Sequence, residues 1–313
     1  MAAYLIKRIL ATIPVMLFVA IFIFLLLRLT PGDPAAMIAG DFATDAQIAE
    51  IRDGLGLDQP LYVQFGIWAK NVLQFELGQS FYYKKEVSDL ILNRIEPTLS
   101  LSVLTIILTV VIAVPLGTLA AYKQGSWFDR GIMGFSVLGF SVPVFVIGYA
   151  LIYVFSVKLG WLPVQGYARL ADGVGAWLYR LILPSIALSV IFVAFIARMT
   201  RTSVLEVLGE DYIRTARAKG QTERRVLMRH ALRNAAVPIV TVIGLAIAIL
   251  IGGVVVTESV FTIPGLGLLT VEAVLNRDFP TIQAVILFFS LVYVLINLAV
   301  DVSYTILDPR IRY

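Results

Sequence analysis

Residues 198–233 read RMTRTSVLEVLGEDYIRTARAKGQTERRVLMRHALR, with nine Lys/Arg against four Asp/Glu. The stretches on either side, Leu181 to Ala197 and Asn234 to Thr257, contain no Asp, Glu, Lys, Arg or His. So many charges are held in water, because an ion taken into an apolar medium without a partner is strongly disfavoured. The contrast predicts two hydrophobic spans joined by a water-facing loop that presents a docking surface.

The rest of the chain has the same character. Hydrophobic residues make up 59%, charged residues 15%, and the mean hydropathy is +0.88. These values lie outside the range of soluble domains and indicate an integral membrane protein. About 20 uncharged residues cross about 30 Å of hydrocarbon as a helix. Six runs qualify: Ile9 to Leu27, Pro97 to Tyr122, Gly131 to Val157, Leu181 to Ala197, Asn234 to Thr257 and Phe279 to Val300. The fourth, at 17 residues, is the shortest. Solid Leu/Ile/Val/Phe blocks lack the short alternating pattern of a transmembrane β-barrel. The expected fold is all-α with six transmembrane helices.

The expected organisation is an N-terminal segment and first span over 1–28, an outer loop over 29–96, and a five-helix core with a tail over 97–313. Orientation follows from the Lys/Arg bias of short loops. With the N-terminus inside, the pieces Met1 to Arg8, Lys123 to Arg130, Arg198 to Arg233 and Asp301 to Tyr313 carry 15 of the 25 basic residues. Both termini are expected in the cytoplasm. Lys7 and Arg8 ahead of an apolar run resemble a signal peptide, but 19 apolar residues exceed a usual signal core, so the segment is read as an anchor.

Several chemistries are excluded. No cysteine removes disulfides and thiolate metal sites, and a single histidine leaves too few nitrogens for a His-based site. No ionisable residue interrupts the spans, unlike carriers driven by proton gradients. The chain has no Gly-Lys pair and hence no P-loop. Glu210 and Asp211, adjacent in sequence, point to different sides of a helix. A membrane enzyme would need a catalytic group in a span. Uphill movement of a solute would draw its energy from another subunit; the competing reading is a self-sufficient channel or carrier.

The outer loop carries ten acidic and five basic residues. Pro31, Gly32 and Pro34 stop the first span, a helix starts near Asp45 after Thr44, and Gln59 to Leu77 carries an apolar stripe. Within the spans, Pro115, Leu183-Pro184 and the cluster Ser141 to Pro143 mark kinks unless Pro184 begins a helix. A role in the pathway is assigned only to Ser141 and Pro143, and packing to the others. In the charged loop, Thr202 to Leu208 and Glu210 to Lys219 read as two short helices parted at Gly209. Gly220 stops the second, and a third runs from Thr222 toward Pro238. Ala216 and Ala218 keep one face of the second helix slim. The basic run also suits anionic lipid heads, although Glu206, Glu210, Asp211 and Glu223 blunt that attraction.

DYIRTARAKG at 211–220, followed by RHALRNA at 229–235 and Pro238, resembles the coupling loop of bacterial ABC-importer permeases. LGLDQPLYVQF (55–65), LGQSF (77–81), ESVFTIPGLG (258–267), NRDFP (276–280) and LDPRIR (307–312) resemble the B-type permease of dipeptide, oligopeptide and nickel importers. Aligned on Gly220, the family's EAA positions fall on Arg214, Thr215 and Ala216, and Arg233 stands where a Pro is usual. Position and docking role therefore carry over, whereas the Glu contact does not.

The resemblance implies a type I importer permease in the bacterial inner membrane, forming half of a translocation pathway by alternating access. Its partners would be a second homologous permease, two ATPase subunits, a periplasmic or lipid-anchored solute-binding protein and membrane lipid. No nucleic acid is implied. No cofactor is expected on this chain; ATP and Mg²⁺ would be used by the ATPase subunits. The coupling residues would be Asp211, Tyr212, Arg214, Thr215, Ala216, Ala218, Lys219 and Gly220. Glu258 with Pro264, Gly265 and Gly267 would form an outer gate or a tight re-entrant turn. Dipeptides or oligopeptides are the expected solutes, with nickel complexes or glutathione as alternatives.

Overall fold

Backbone amides in hydrocarbon have no water to bond, so apolar runs of this length close their hydrogen bonds within helices. The computed structural model describes residues 2–29, 35–36, 44–54 and 56–307. Pro31, Gly32, Pro34 and the LDPRIR string beyond Leu307 lie outside them. The helices are α1 (Ala2–Leu29), α2 (Asp45–Gly54), α3 (Leu61–Leu73), α4 (Val87–Tyr122), α5 (Trp127–Ser141), α6 (Val144–Leu151), α7 (Val174–Leu208), α8 (Asp211–Ala218), α9 (Ala236–Phe261), α10 (Leu266–Leu275) and α11 (Phe279–Leu307). No strand forms among the described residues, only an isolated bridge between Gln79 and Glu86. Five helices are long and apolar enough to cross a membrane, or six if α5 and the α6 segment count as one broken span.

Three elements depart from the expected boundaries. Helix α4 begins ten residues before Pro97. Charge stops an apolar run but not a helix, and Val87 to Glu96 is a polar extension of it. Helix α7 runs unbroken for 35 residues, so Pro184 lies inside it and Thr202 to Leu208 are its last turns, not a separate helix. Nothing between Pro184 and Gly209 disrupts the hydrogen-bond ladder. The third apolar run is broken: α5 and the Val144–Lys158 segment meet at 102°. Val142 is extended (φ −99°, ψ 121°), as the residue before a proline prefers, and Pro143 (φ −60°, ψ 143°) is also extended and immediately precedes α6. Pro14, Pro97, Pro115 and Pro184 all sit within continuous helices.

The chain divides into two compact units. The first comprises residues 96–268 and 295–313. Its core centres on α7, whose Leu181, Leu183, Leu188, Phe192 and Ile196 pack with residues of α4, α6 and α9. Small residues permit the close approaches usual between membrane helices. A Cβ on Gly139 would lie 2.8 Å from that of Ala194, and one on Gly253 3.0 Å from Leu188 Cδ1.

The second unit comprises residues 2–95 and 269–294. Phe24, Phe65 and Trp68 form an aromatic cluster there. The Gln64 amide donates to the carbonyls of Leu57 and Gln59, fixing the turn ahead of α3. The LGQSF and NRDFP strings meet at Asp278. This fully buried carboxylate accepts from Ser80 Oγ (2.5 Å), Phe81 N (2.9 Å) and Thr281 Oγ1 (2.7 Å). Beside it, Glu272 accepts from Tyr83 and Arg94. Burial, aided by the hydrogen bond to Glu272, pushes the Tyr83 phenol above its ordinary value.

Candidate functional site

The charged loop folds into one short helix held from behind. Gly209 ends α7, its N–H reaching the carbonyls of Leu205 and Glu206 at 3.3 and 3.1 Å. Glu210 is extended (φ −72°, ψ 147°), and α8 follows with Asp211 in its first turn and Arg217 in its last, signs that suit the helix dipole. Ile213 and Ala216, three residues apart, lie on one face and pack on Val226 with Val207 and Leu208. Ile213 is fully buried.

The opposite face is open to solvent. Asp211, Tyr212, Arg214, Thr215, Arg217, Ala218 and Lys219 are exposed. Partial desolvation of the phenol and the nearby Glu210 carboxylate hold Tyr212 above its ordinary value. Arg214 and Asp211 pair only loosely at 3.4 Å in full solvent, so both remain available to a partner.

Gly220 closes α8 with a Schellman motif: its N–H bonds to Arg217 O (2.9 Å), and Gln221 N bonds to Ala216 O (3.2 Å). The motif needs a left-handed residue, and Gly220 has φ +74°. Across this turn Arg217 grips Glu223 with two bonds, at 2.8 and 3.3 Å. Glu223–Arg225 opens the next segment, which continues as a π-helix over Val226–Ala231 and ends with Leu232–Asn234. Ala231 and Ala235 pack with Ala121, Val204 and Ile239, which ties this segment to α4, α7 and α9. Near the same end of α7, Arg201 forks onto both oxygens of nearly buried Asp129, which also accepts from Gly125 N.

Sequence reasoning placed α8 and its stop but missed what anchors them: Ile213, the Arg217–Glu223 clamp and the Arg201–Asp129 pair. Arg201 and Asp129 are 72 residues apart. The available signal was an acid near the start of one span matched by a base near the end of another.

The remaining candidates lie elsewhere. Ser141 Oγ bonds back to Val137 O at the α5–α6 break. Glu258 is fully buried and accepts from Thr98 Oγ1 (2.6 Å) and Leu268 N (2.9 Å), while Thr98 Oγ1 accepts from Leu266 N (2.8 Å). Glu258 and Thr98 thus accept from backbone amides in the first turn of α10. A Cβ on Gly265 would overlap the Glu258 carboxylate, and one on Gly267 would lie 2.6 Å from Val255 Cα. Pro264 sits between Ile263 and these glycines, so Glu258, Pro264, Gly265 and Gly267 make one tight turn. Ser141 and Pro143 are a separate feature. Among the described residues no cluster of His, Cys, Asp and Glu could hold a metal ion.

Residues 113–313 match the family described as "Binding-protein-dependent transport system inner membrane component", and residues 1–102 match its N-terminal component. The chain belongs to this family. It is a multi-pass permease subunit of a bacterial inner-membrane ABC importer, not an enzyme. Members of the family work with ATPase and solute-binding partners. The chain is 56% identical, over the full length of both proteins, to the "Probable peptide ABC transporter permease protein y4tP" of Sinorhizobium fredii. It is 47% identical to the glutathione transport system permease GsiC of Escherichia coli K12, again over the full length of both. Among solved structures it is similar to a chain of the MetNI methionine ABC transporter in an inward-facing conformation. That match has a TM-score of 0.58 at 20% identity and covers 70% of this permease and 96% of the MetNI chain.

Proposed function

We propose that this permease imports dipeptides or oligopeptides, pairing with a second, homologous permease to form the pathway and with two ATPase subunits that bind ATP and Mg²⁺. The termini and α8 lie in the cytoplasm, and a solute-binding protein delivers the peptide from outside. The observation that carries the coupling is α8 itself: one face is locked on α7 and the following segment, and the other carries Asp211, Tyr212, Arg214, Thr215 and Lys219 in the open. Movement of an ATPase surface against that face would act on α7, the 35-residue helix it follows. Alternating access then arises because ATP-bound and ATP-free partners favour different states of the pathway. The gate is assigned to Ser141 and Pro143, where the third span breaks. The turn built by Glu258, Pro264, Gly265 and Gly267 braces the start of α10.

The peptide assignment is supported by the full-length similarity to the Sinorhizobium relative. Glutathione, itself a small peptide, is the second reading, supported by the Escherichia coli relative. Co-purification from the native membrane, followed by reconstitution with the solute-binding protein, tests both. The expected result is recovery of a second permease and Walker-motif ATPases, with ATP-dependent uptake of labelled peptide that unlabelled peptides compete away. Transport by this chain alone would overturn the importer assembly. Competition by glutathione but not by peptides would replace the solute.

A further inference from the structure

The last turns of α4 and the segment after α8 line a groove of about 630 Å³ that no side chain among the described residues fills. Val114, Pro115 and Leu119 form one wall, and Leu227, Met228 and Leu232 the other. Leu119 and Met228 keep 43% and 58% of their surface accessible, so the groove is open. Its volume is in the range of small-molecule sites.

The charge at the mouth is positive. Glu223 and Arg224 both line the groove, but Glu223 is already gripped by Arg217. Arg224 is exposed and has no ion pair among the described residues.

The aromatic residues give the depth. Tyr122 lines the groove where the apolar run of α4 ends. Just beyond, Trp127 is 85% exposed with the Arg130 guanidinium 5.5 Å over its ring, and the Lys123 ammonium stands 5.7 Å over Phe128. Exposed Tyr and Trp with neighbouring cations mark the boundary between hydrocarbon and lipid headgroups. The groove therefore runs from hydrocarbon depth at Val114 to headgroup level at Tyr122 and Arg224. Its matching occupant is an amphiphile with an apolar tail and a negative head.

We propose that this groove binds an anionic phospholipid, one acyl chain lying between α4 and the Leu227–Leu232 wall and the phosphate on Arg224. The site concerns the membrane rather than the imported solute. It adjoins the coupling machinery through Glu223, which lines the groove and accepts two hydrogen bonds from Arg217 of α8.

The test uses the purified full chain, with whatever subunits accompany it, exchanged into equal amounts of phosphatidylglycerol and phosphatidylcholine of matched chains. Native mass spectrometry counts the lipid retained on this chain, so the result does not depend on which partners co-purify. The expected result is preferential retention of phosphatidylglycerol. Arg224→Gln should reduce that preference about fivefold, the effect of one basic residue at an anionic surface. Leu119→Trp, which fills the groove, should remove tightly held lipid of either head type. Because the chain has no cysteine, Met228→Cys adds a single reactive thiol. Its crosslinking to a neighbouring permease would overturn the proposal in favour of a protein occupant. Equal retention of both lipids by the unaltered chain would also overturn it, as would unchanged phosphatidylglycerol retention in both variants.

Discussion

At Gly220 the backbone is left-handed (φ +74°), and a Cβ added there meets no atom within 4 Å. A side chain is opposed by conformation rather than by crowding, so Gly220→Val is expected to cost roughly 1–2 kcal/mol locally and to loosen the stop of α8. The variant should reach the membrane at normal levels while ATP hydrolysis and uptake become uncoupled. Transport at the unaltered rate would show that the turn does not transmit force. Gly265 presents the reverse case, because crowding decides there. Gly265→Ala drives a methyl into the Glu258 carboxylate and is expected to lower stability by about 1–3 kcal/mol. The measurement is the thermal midpoint in detergent, and an unchanged midpoint would mean that the turn yields freely.

Among the elements, the Asp129–Arg201 pair joins the start of α5 to α7, with side-chain exposures of only 4% and 20%. Removing one partner of a buried pair costs about 3–5 kcal/mol, because the other ion is left uncompensated. Asp129→Ala should therefore destabilise more than the double variant Asp129→Leu with Arg201→Met. Additive losses in a double-mutant cycle would show that the pair is not coupled. At the α5–α6 break, Pro143→Ala restores a backbone donor and should straighten the third span. Uptake should then fall while assembly persists, and full uptake would remove the break from the pathway. The uncharged runs made the helical membrane fold legible in the sequence, and Gly220 marked the end of α8. The extensions of α4 and α7 were not legible, because charge limits burial in lipid but leaves helix propensity untouched. The 102° break was legible only as one proline cluster among several. Pro143 differs from Pro115 and Pro184 in being preceded by an extended residue, which spacing alone does not reveal. The anchors of α8 stayed hidden because they join residues distant in the chain, as Arg201 and Asp129 do.

For the whole molecule, the proposed orientation makes a direct prediction. In a chain without cysteine, Lys219→Cys should react with an impermeant maleimide only in inside-out vesicles, and Gln74→Cys only in intact cells stripped of their outer membrane. The opposite pattern would invert the topology and place α8 beyond reach of any ATPase. The bonds that close the α10 turn bear on how such a chain is made. Thr98 meets Glu258 across 160 residues and the Leu266 amide across 168. Ser80 meets Asp278 across 198. A ribosome that has delivered α1 through α8 to the membrane has supplied only one side of each bond. Both seals therefore wait for the last fifth of translation, and a nascent chain stalled before Glu258 would leave the insertion machinery unfinished and recognisable to membrane proteases.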